Sequence, residues 1–333
     1  MVEGTEGSHH KEGMTKMVKS TTIAAGIDVA KAKLDVAIDG CKQHWEVSND
    51  PAGFLQLARL LRSRKVNRVG LEATGGYERD VTESLRKAGF TVFLLQPRQV
   101  RAFAEAMLRH AKNDRVDAGL IAAFTALMKV TREAPDPRYA PLADVVVFIE
   151  QIEEDLKRIK TRLEHARIAE HRRFMLDDIK RLKLRRSKML AKLEAAVRSH
   201  DDIAERLNLV LSIDGIALRT ALAIIVLMPE LGKLSREQAA ALAGVAPFDD
   251  NSGKRNGERH IWGGRARLRS SVYAAALPAS FRWNQQLVAL YRRLIAAGKA
   301  HKVALIACTR KLIIFANTVL ARRTPWIKST VQI

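Results

Sequence analysis

The chain has 333 residues, 47% of them hydrophobic, enough for two domains with cores of their own. It carries 57 Lys and Arg against 36 Asp and Glu, a formal net charge of +21, which points to a polyanionic partner, nucleic acid ahead of a membrane surface. No apolar run is expected to reach the roughly 18 residues of a membrane span. The N-terminus lacks the apolar stretch of a signal peptide, and two distant cysteines, Cys41 and Cys308, give neither a disulfide framework nor zinc spacing, which fits a reducing cytoplasm.

Residues 1–20 are polar and Gly-rich and are expected to form a disordered tail. Residues 21–141 read as an α/β domain. Strands are predicted at Ile23–Val29, Lys33–Ile38, His44–Ser48, Val66–Glu72 and Thr91–Leu95, from alternating or continuous apolar runs. Helices are predicted at Pro51–Arg64, with Asn49 or Asp50 as cap, at Tyr77–Ala88, ended by Gly89, and at Pro97–Ala111 and Asp114–Val130. That order fits a mixed sheet covered by helices.

A Pro-rich stretch, Glu133–Pro141, marks a boundary. From 142 to 208 the pattern becomes helical. Ile149, Ile152, Leu156, Ile159, Leu163 and Ala166 alternate spacings of three and four, a heptad seam that serves either a helical hairpin or an oligomer contact. The 14 Lys and Arg from Lys157 to Lys192 suit a solvated face or a nucleic-acid surface. Residues 209–325 read as a mainly helical C-terminal domain before a short tail, 326–333. Within it, Asp214-Gly215-Ile216, followed by a helix at Arg219–Met228, looks like a helix-hairpin-helix element whose turn amides could approach a phosphate. Further helices are expected at Glu237–Ala243, Ala266–Arg282, Asn284–Ala297 and Lys302–Val319, with a polar loop at Phe248–Gly264.

Four acids stand out against this basic background. Asp28 closes the apolar run of the first strand, Glu72 closes Val69-Gly70-Leu71, and Asp114 and Asp117 lie three apart at a helix start, on one face. Singly, each has an ordinary alternative: Asp28 could pair with Lys31 or Lys33, and the Asp114–Asp117 pair could favour the helix dipole. Together, three separated carboxylate sources suit a divalent cation used in phosphoryl chemistry, and a bound cation would offset the repulsion between neighbouring acids.

The blocks Gly26-Ile27-Asp28-Val29-Ala30-Lys31, Leu71-Glu72-Ala73-Thr74-Gly75-Gly76-Tyr77 and Lys112-Asn113-Asp114-Arg115-Val116-Asp117-Ala118 resemble the three motifs of DEDD-type insertion-sequence transposases, relatives of the Piv-type DNA invertases. Ala246-Pro247-Phe248, Asn251-Ser252-Gly253-Lys254-Arg255 and Gly263-Gly264-Arg265-Ala266-Arg267-Leu268-Arg269 resemble that family's C-terminal domain. The turn Asp214-Gly215-Ile216-Ala217 departs from the family's usual Pro-Gly-Ile-Gly.

The resemblance implies an RNase H-like (RuvC-like) catalytic domain and a C-terminal transposase domain, and the heptad seam makes 142–208 between them a helical coiled-coil segment. It implies that Asp28, Glu72, Asp114 and Asp117 hold a divalent metal, taken as Mg2+, and that Ser252 is a nucleophile. By residue type alone, Ser252 is an ordinary turn residue in a basic loop; Ser270 and Ser271 are its positional rivals. Lys254, Arg255, Arg259, Arg265, Arg267 and Arg269 are the expected phosphate contacts. The function implied is DNA recombination through a covalent phosphoserine intermediate in the bacterial cytoplasm, at the nucleoid. The expected partners are target and donor DNA, a structured bridge RNA and further copies of the chain, in a dimer of dimers. The alternatives are a RuvC-like nuclease that hydrolyses DNA, in which Ser252 is only a loop residue, and a non-catalytic nucleic-acid-binding protein.

Overall fold

The computed structural model describes residues 23–108, 114–128, 136–249, 257 and 259–327, with the side chains of 114–116 left undescribed. The chain divides into two compact units, 1–133 and 134–333.

In the first unit, β1 (Ala24–Val29), β2 (Lys33–Ile38) and β3 (His44–Ser48) form an antiparallel meander, while β4 (Arg68–Glu72) and β5 (Thr91–Leu95) join parallel to β1. The strand order β3-β2-β1-β4-β5 is that of an RNase H-like sheet. Helices α1 (Pro51–Ser63) and α2 (Arg79–Lys87) connect the later strands, and α3 (Pro97–Ala106) and α4 (Asp114–Leu127) follow β5.

Alternation along the strands decides which side chains meet which helices. Ile27, Val36, Val69 and Leu71 pack with Phe54, Leu57 and Leu61 of α1 and with Val81 and Leu85 of α2 in one apolar core. Leu95 and Phe93 pack on the other face with Val100 and Phe103 of α3 and with Leu120, Ile121 and Phe124 of α4. Gly26 lies on this second face because the backbone of α4 lies directly on it: a Cβ there would come within 2.2 Å of the Ala118 carbonyl oxygen and of the Ala122 nitrogen. Any larger residue would push α4 off β1.

The second unit opens with a long antiparallel hairpin, α5 (Tyr139–His165) and α6 (Ala169–Arg198). The heptad seam is satisfied within the chain. Ile152, Leu156 and Ile179 form a buried cluster, flanked by Ile159, Leu163, Leu182 and Met189. The proximal ends of the hairpin do not stand apart as a separate body. Leu142, Val146, Ile149, Leu193 and Val197 belong to the same core as α7 (Asp201–Leu211), α8 (Leu218–Leu227), α9 (Arg236–Ala243), α10 (Ala266–Pro278), α11 (Gln285–Ala296) and α12 (His301–Arg322). Ion pairs reinforce that junction: Arg219 of α8 pairs with Glu153 of α5 at 2.6 Å, and Arg267 of α10 with Glu150 at 2.8 Å.

Two expectations need correction. By length and composition α12 could span a membrane, with mean hydropathy 1.7, although no such run was expected; 61% of that stretch is buried inside the fold. Arg310 and Lys311 interrupt its apolar run in sequence, which hides a helix whose buried residues, including Cys308, Leu312, Ile313 and Ala316, fill the C-terminal core. The loop after α9 also contains a short ribbon, β6 (Pro247–Phe248) paired with β7 (His260–Ile261).

Because the seam is internal, Leu156→Glu combined with Leu163→Glu is expected to open the distal hairpin. A buried unpaired carboxylate costs several kcal/mol or forces its own neutralisation. Amide hydrogen exchange should lose protection along α5 and α6 beyond Ile152, while α8 and α12 stay protected. Unchanged protection in α5 would show that the seam contributes little.

Candidate functional site

The sheet register brings the first two predicted acids together. Gly26 pairs with Gly70 and Ile27 with Leu71, so Asp28 and Glu72 follow at the same end of neighbouring parallel strands. Both lie two residues beyond those glycines and so share the face that α4 covers. The helix runs antiparallel to these strands: Ala118 lies over Gly26, Thr125 over Gly70, and the Met128 carbonyl accepts from Arg68 Nη1 at 2.8 Å at the opposite end. The N-terminal turn of α4, bearing Asp114 and Asp117, therefore lies toward the strand ends that carry Asp28 and Glu72. Asp28, Glu72 and Asp117 are each half-buried, and each has an interaction partner. Among the described residues, no three Asp, Glu, His or Cys side chains gather as a metal-holding group; the side chain of Asp114 lies outside that description. Carboxylate oxygens are hard ligands, of the kind that divalent cations take.

Three residues to which sequence reasoning gave no part in this site, Asn49 having been read only as a possible helix cap, shape this end of the sheet. Asp35 pairs in register with Asp28 across β1 and β2, is 8% exposed, and pairs with Lys33 Nζ at 3.0 Å, an ammonium that Glu46 shares at 3.2 Å. Its signal was a single acid on β2 between the buried apolar residues Leu34 and Val36. Asn49 ties the two strand-end loops together: its Nδ2 donates to the Ala30 carbonyl at 2.8 Å and to the Tyr77 carbonyl at 3.2 Å. Glu78, 7% exposed, accepts from the Gly76 amide at 2.8 Å, the Thr74 hydroxyl at 3.0 Å and the Thr74 amide at 3.2 Å, closing the turn directly after Glu72.

Burial opposes ionisation of Glu78, but hydrogen bonds from its own amide, Gly76 and Thr74 outweigh it and hold its carboxyl below the ordinary value. A lowered folded pKa gives stability that is present above the unfolded value and is lost as pH falls through the folded one. Glu78→Gln should therefore cost about 1–3 kcal/mol at neutral pH, the loss typical of charge-assisted bonds. In urea melts, the gap between variant and wild type should narrow as pH drops through the carboxylate range. A gap constant with pH would remove the charge from this account.

Ser252, Lys254 and Arg255 lie outside the described residues. The other predicted phosphate contacts are engaged within the protein. Arg265 bonds Glu230 at 2.5 and 2.8 Å and the Leu227 carbonyl at 2.9 Å. Arg269 Nη1 donates to the carbonyls of Gly244 and Gly263 at 3.1 and 2.8 Å. Gly264 abuts this clasp so tightly that a Cβ on it would lie 2.2 Å from the Gly244 nitrogen. The Gly-Gly-Arg motif thus fastens the base of the serine loop to the end of α9. Arg259 pairs with Asp249 at 2.5 Å across the ribbon, and both Arg259 and Arg267 keep exposed side chains. Of the rival serines, Ser271 is buried and bonded to Arg219, while Ser270 is exposed on α10.

Comparison with known proteins assigns the family. Residues 25–166 match the DEDD transposase model of the IS110 type, described as "Transposase", and residues 207–292 match "Transposase IS116/IS110/IS902 family". The chain belongs to this transposase family. It is accordingly a DNA transposase/recombinase, and the first match takes in Asp28, Glu72, Asp114 and Asp117, the second the Ser252 loop. The "Pilin gene-inverting protein" of Moraxella lacunata and that of Moraxella bovis are each 24% identical over 318 residues, covering 91% of this chain and 97% of the relative. Among solved structures, "T. thermophilus RuvC in complex with Holliday junction substrate" matches with 19% identity and a TM-score of 0.26, covering 33% of this chain and 98% of that one. The fold assignment rests on the strand order and not on this likeness.

Proposed function

We propose that this transposase cuts and rejoins DNA with two half-sites, the acidic end of the sheet and the Ser252 loop. Support comes above all from the common strand end and face shared by Asp28 and Glu72, toward which the N-terminal turn of α4 lies. Asp28, Glu72, Asp114 and Asp117 would hold a divalent cation, Mg2+ in our assignment; when bound, such an ion polarises a phosphate and stabilises a departing oxygen. Asp35, paired with Lys33, would stand beside that set without joining it, and Asn49 and Glu78 would fix the loops that follow Asp28 and Glu72.

In the covalent step, Ser252 Oγ attacks phosphorus. A phosphoserine ester forms, the bond from phosphorus to the 3′ oxygen breaks, and that oxygen leaves as a hydroxyl carrying one proton, the serine having lost one. Attack by the 3′-hydroxyl of another strand reverses the step and frees Ser252, so no phosphodiester energy is lost. The curated relatives are named for gene inversion, which requires rejoining and so favours this scheme over hydrolysis. Lys254, Arg255 and the exposed Arg259 and Arg267 are the candidate phosphate contacts, with Arg265 and Arg269 shaping the loop that carries the serine. A bridge RNA and a dimer of dimers enter our proposal from the family resemblance; the basic face of α6 supplies the charge to hold RNA backbone.

The test is to incubate the protein with Mg2+, the flanking RNA and both DNA partners, then denature. A protein–DNA adduct linked through phosphoserine supports the scheme. Nicked DNA ending in free 5′-phosphate, with no adduct at any time point, would favour the hydrolytic nuclease.

A further inference from the structure

The C-terminal unit carries a second, unassigned feature away from the serine loop. After Glu258 the sequence contains 14 Lys and Arg and no Asp or Glu to its end. Within this acid-free stretch, α10 ends at Pro278 and the chain makes one π-helical turn, Ala279–Trp283. The Asn284 amide bonds the Ala279 carbonyl at 3.0 Å, five residues back. Such widened turns are rare and recur at functional sites.

The turn presents two large aromatic side chains outward, Phe281 at 49% and Trp283 at 57% exposure. Both are braced. Tyr291 meets Phe281 edge-on with ring centroids 5.0 Å apart, and His301, bonded to the Tyr291 hydroxyl at 2.8 Å, lies parallel to it at 6.3 Å. The Arg282 guanidinium sits 5.0 Å from the Trp283 ring centre. The turn is also fixed to the Asp214–Ile216 turn between α7 and α8: the side-chain amide of Asn284, 1% exposed, donates to the Asp214 carbonyl at 3.1 Å, and Gly215 packs against Ala279. Asp214 is the acid that this contact brings near.

Outward-facing aromatics with Arg282 on the Trp283 ring, in a stretch of sequence with many Lys and Arg and no acid, suit one chemistry, an unpaired nucleobase stacked on a ring while cations hold the flanking phosphates. We propose that Trp283, on the same turn as the braced Phe281, offers a stacking surface for an unpaired base of a nucleic-acid strand, beside the Asp214–Ile216 turn. The proposal presumes that the chain handles nucleic acid, as argued above, and adds a site at which it would hold a base out of a duplex.

The test uses full-length protein and two single strands of equal length and charge, one bearing bases and one abasic, as DNA and as RNA. Wild type should prefer the base-bearing strand, and Trp283→Ala should lose that preference with a fall in affinity of about tenfold or more. Trp283→Phe should restore most of it. The dependence on salt should be unchanged in both variants, because phosphate contacts remain. Preference for the DNA or the RNA strand would say which supplies the base. Equal binding of both strands by wild type, an unchanged preference in folded Trp283→Ala, or a changed oligomeric mass in that variant would overturn the platform; the last would make the patch a subunit contact. Failure of wild type to bind any strand would instead count against the proposed function itself.

Discussion

Asp117→Asn should abolish DNA cleavage while leaving the fold intact by circular dichroism, and Asp28→Asn and Glu72→Gln should do the same. Each removes one anionic side chain, from a strand end or from the first turn of α4, and keeps the shape of the side chain. Loss of a metal's electrostatic stabilisation is worth several kcal/mol, a fall on the order of 10³ in rate or more. Wild-type cleavage should stop on chelation and return with Mg2+; the variants should stay inactive in excess Mg2+. Two controls separate this from a structural effect. Gly26→Val should displace α4, lowering both stability and activity, whereas the acid variants should lower activity alone. Asp35→Asn should leave much of the cleavage, since Asp35 is not one of the four proposed metal carboxylates and is held by Lys33. Wild-type rates in Asp117→Asn or in chelator would refute the acidic site.

The sheet was legible because its strands carry strong local patterns. Lys33–Ile38, His44–Ser48 and Thr91–Leu95 form where alternating or continuous apolar runs place them, and the closing acids Asp28 and Glu72 mark a common end because both strands are parallel and in register. What escaped depends on contacts between residues far apart in sequence. Arg265 looked like a phosphate ligand, yet its carboxylate partner is Glu230, and Arg267 finds Glu150 on another helix. A guanidinium in a glycine-rich motif carries no local sign of whether its anion is internal. The ribbon of β6 and β7 has two residues per strand, too few to show a period. The π-helical turn also escaped because the apolar pattern runs on through Pro278 as though a single helix reached Arg282. A missing amide at Pro278 and a wider hydrogen-bond span at Asn284 change the backbone without changing that pattern. The heptad seam was visible, but its partner was not: the same spacing serves a hairpin or a second copy, and the short connection between α5 and α6 returns the seam onto the chain itself.

Ser252→Ala should eliminate the covalent protein–DNA adduct and strand exchange together. The substitution removes one oxygen from a loop whose base is fastened elsewhere, by Arg269 on the Gly244 and Gly263 carbonyls and by Arg265 on Glu230. Stability should therefore change by less than about 0.5 kcal/mol. Nucleic-acid binding should persist, because Lys254, Arg255, Arg259 and Arg267 are untouched. Ser270→Ala should keep both activities. Ser271→Ala should keep the adduct but weaken the fold, since the Ser271 hydroxyl is bonded to Arg219, which joins α8 to the hairpin through Glu153. The hydrolytic alternative requires the opposite pattern, with Ser252→Ala still nicking DNA in Mg2+ and the wild type forming no adduct. Mass spectrometry of the trapped species decides the matter residue by residue: a phosphodiester mapped to Ser252 supports both mechanism and nucleophile. Mapping to Ser270 would keep the covalent mechanism and move the nucleophile onto α10. That outcome would also leave the clasp at Gly244 and Gly263 without a catalytic loop to position.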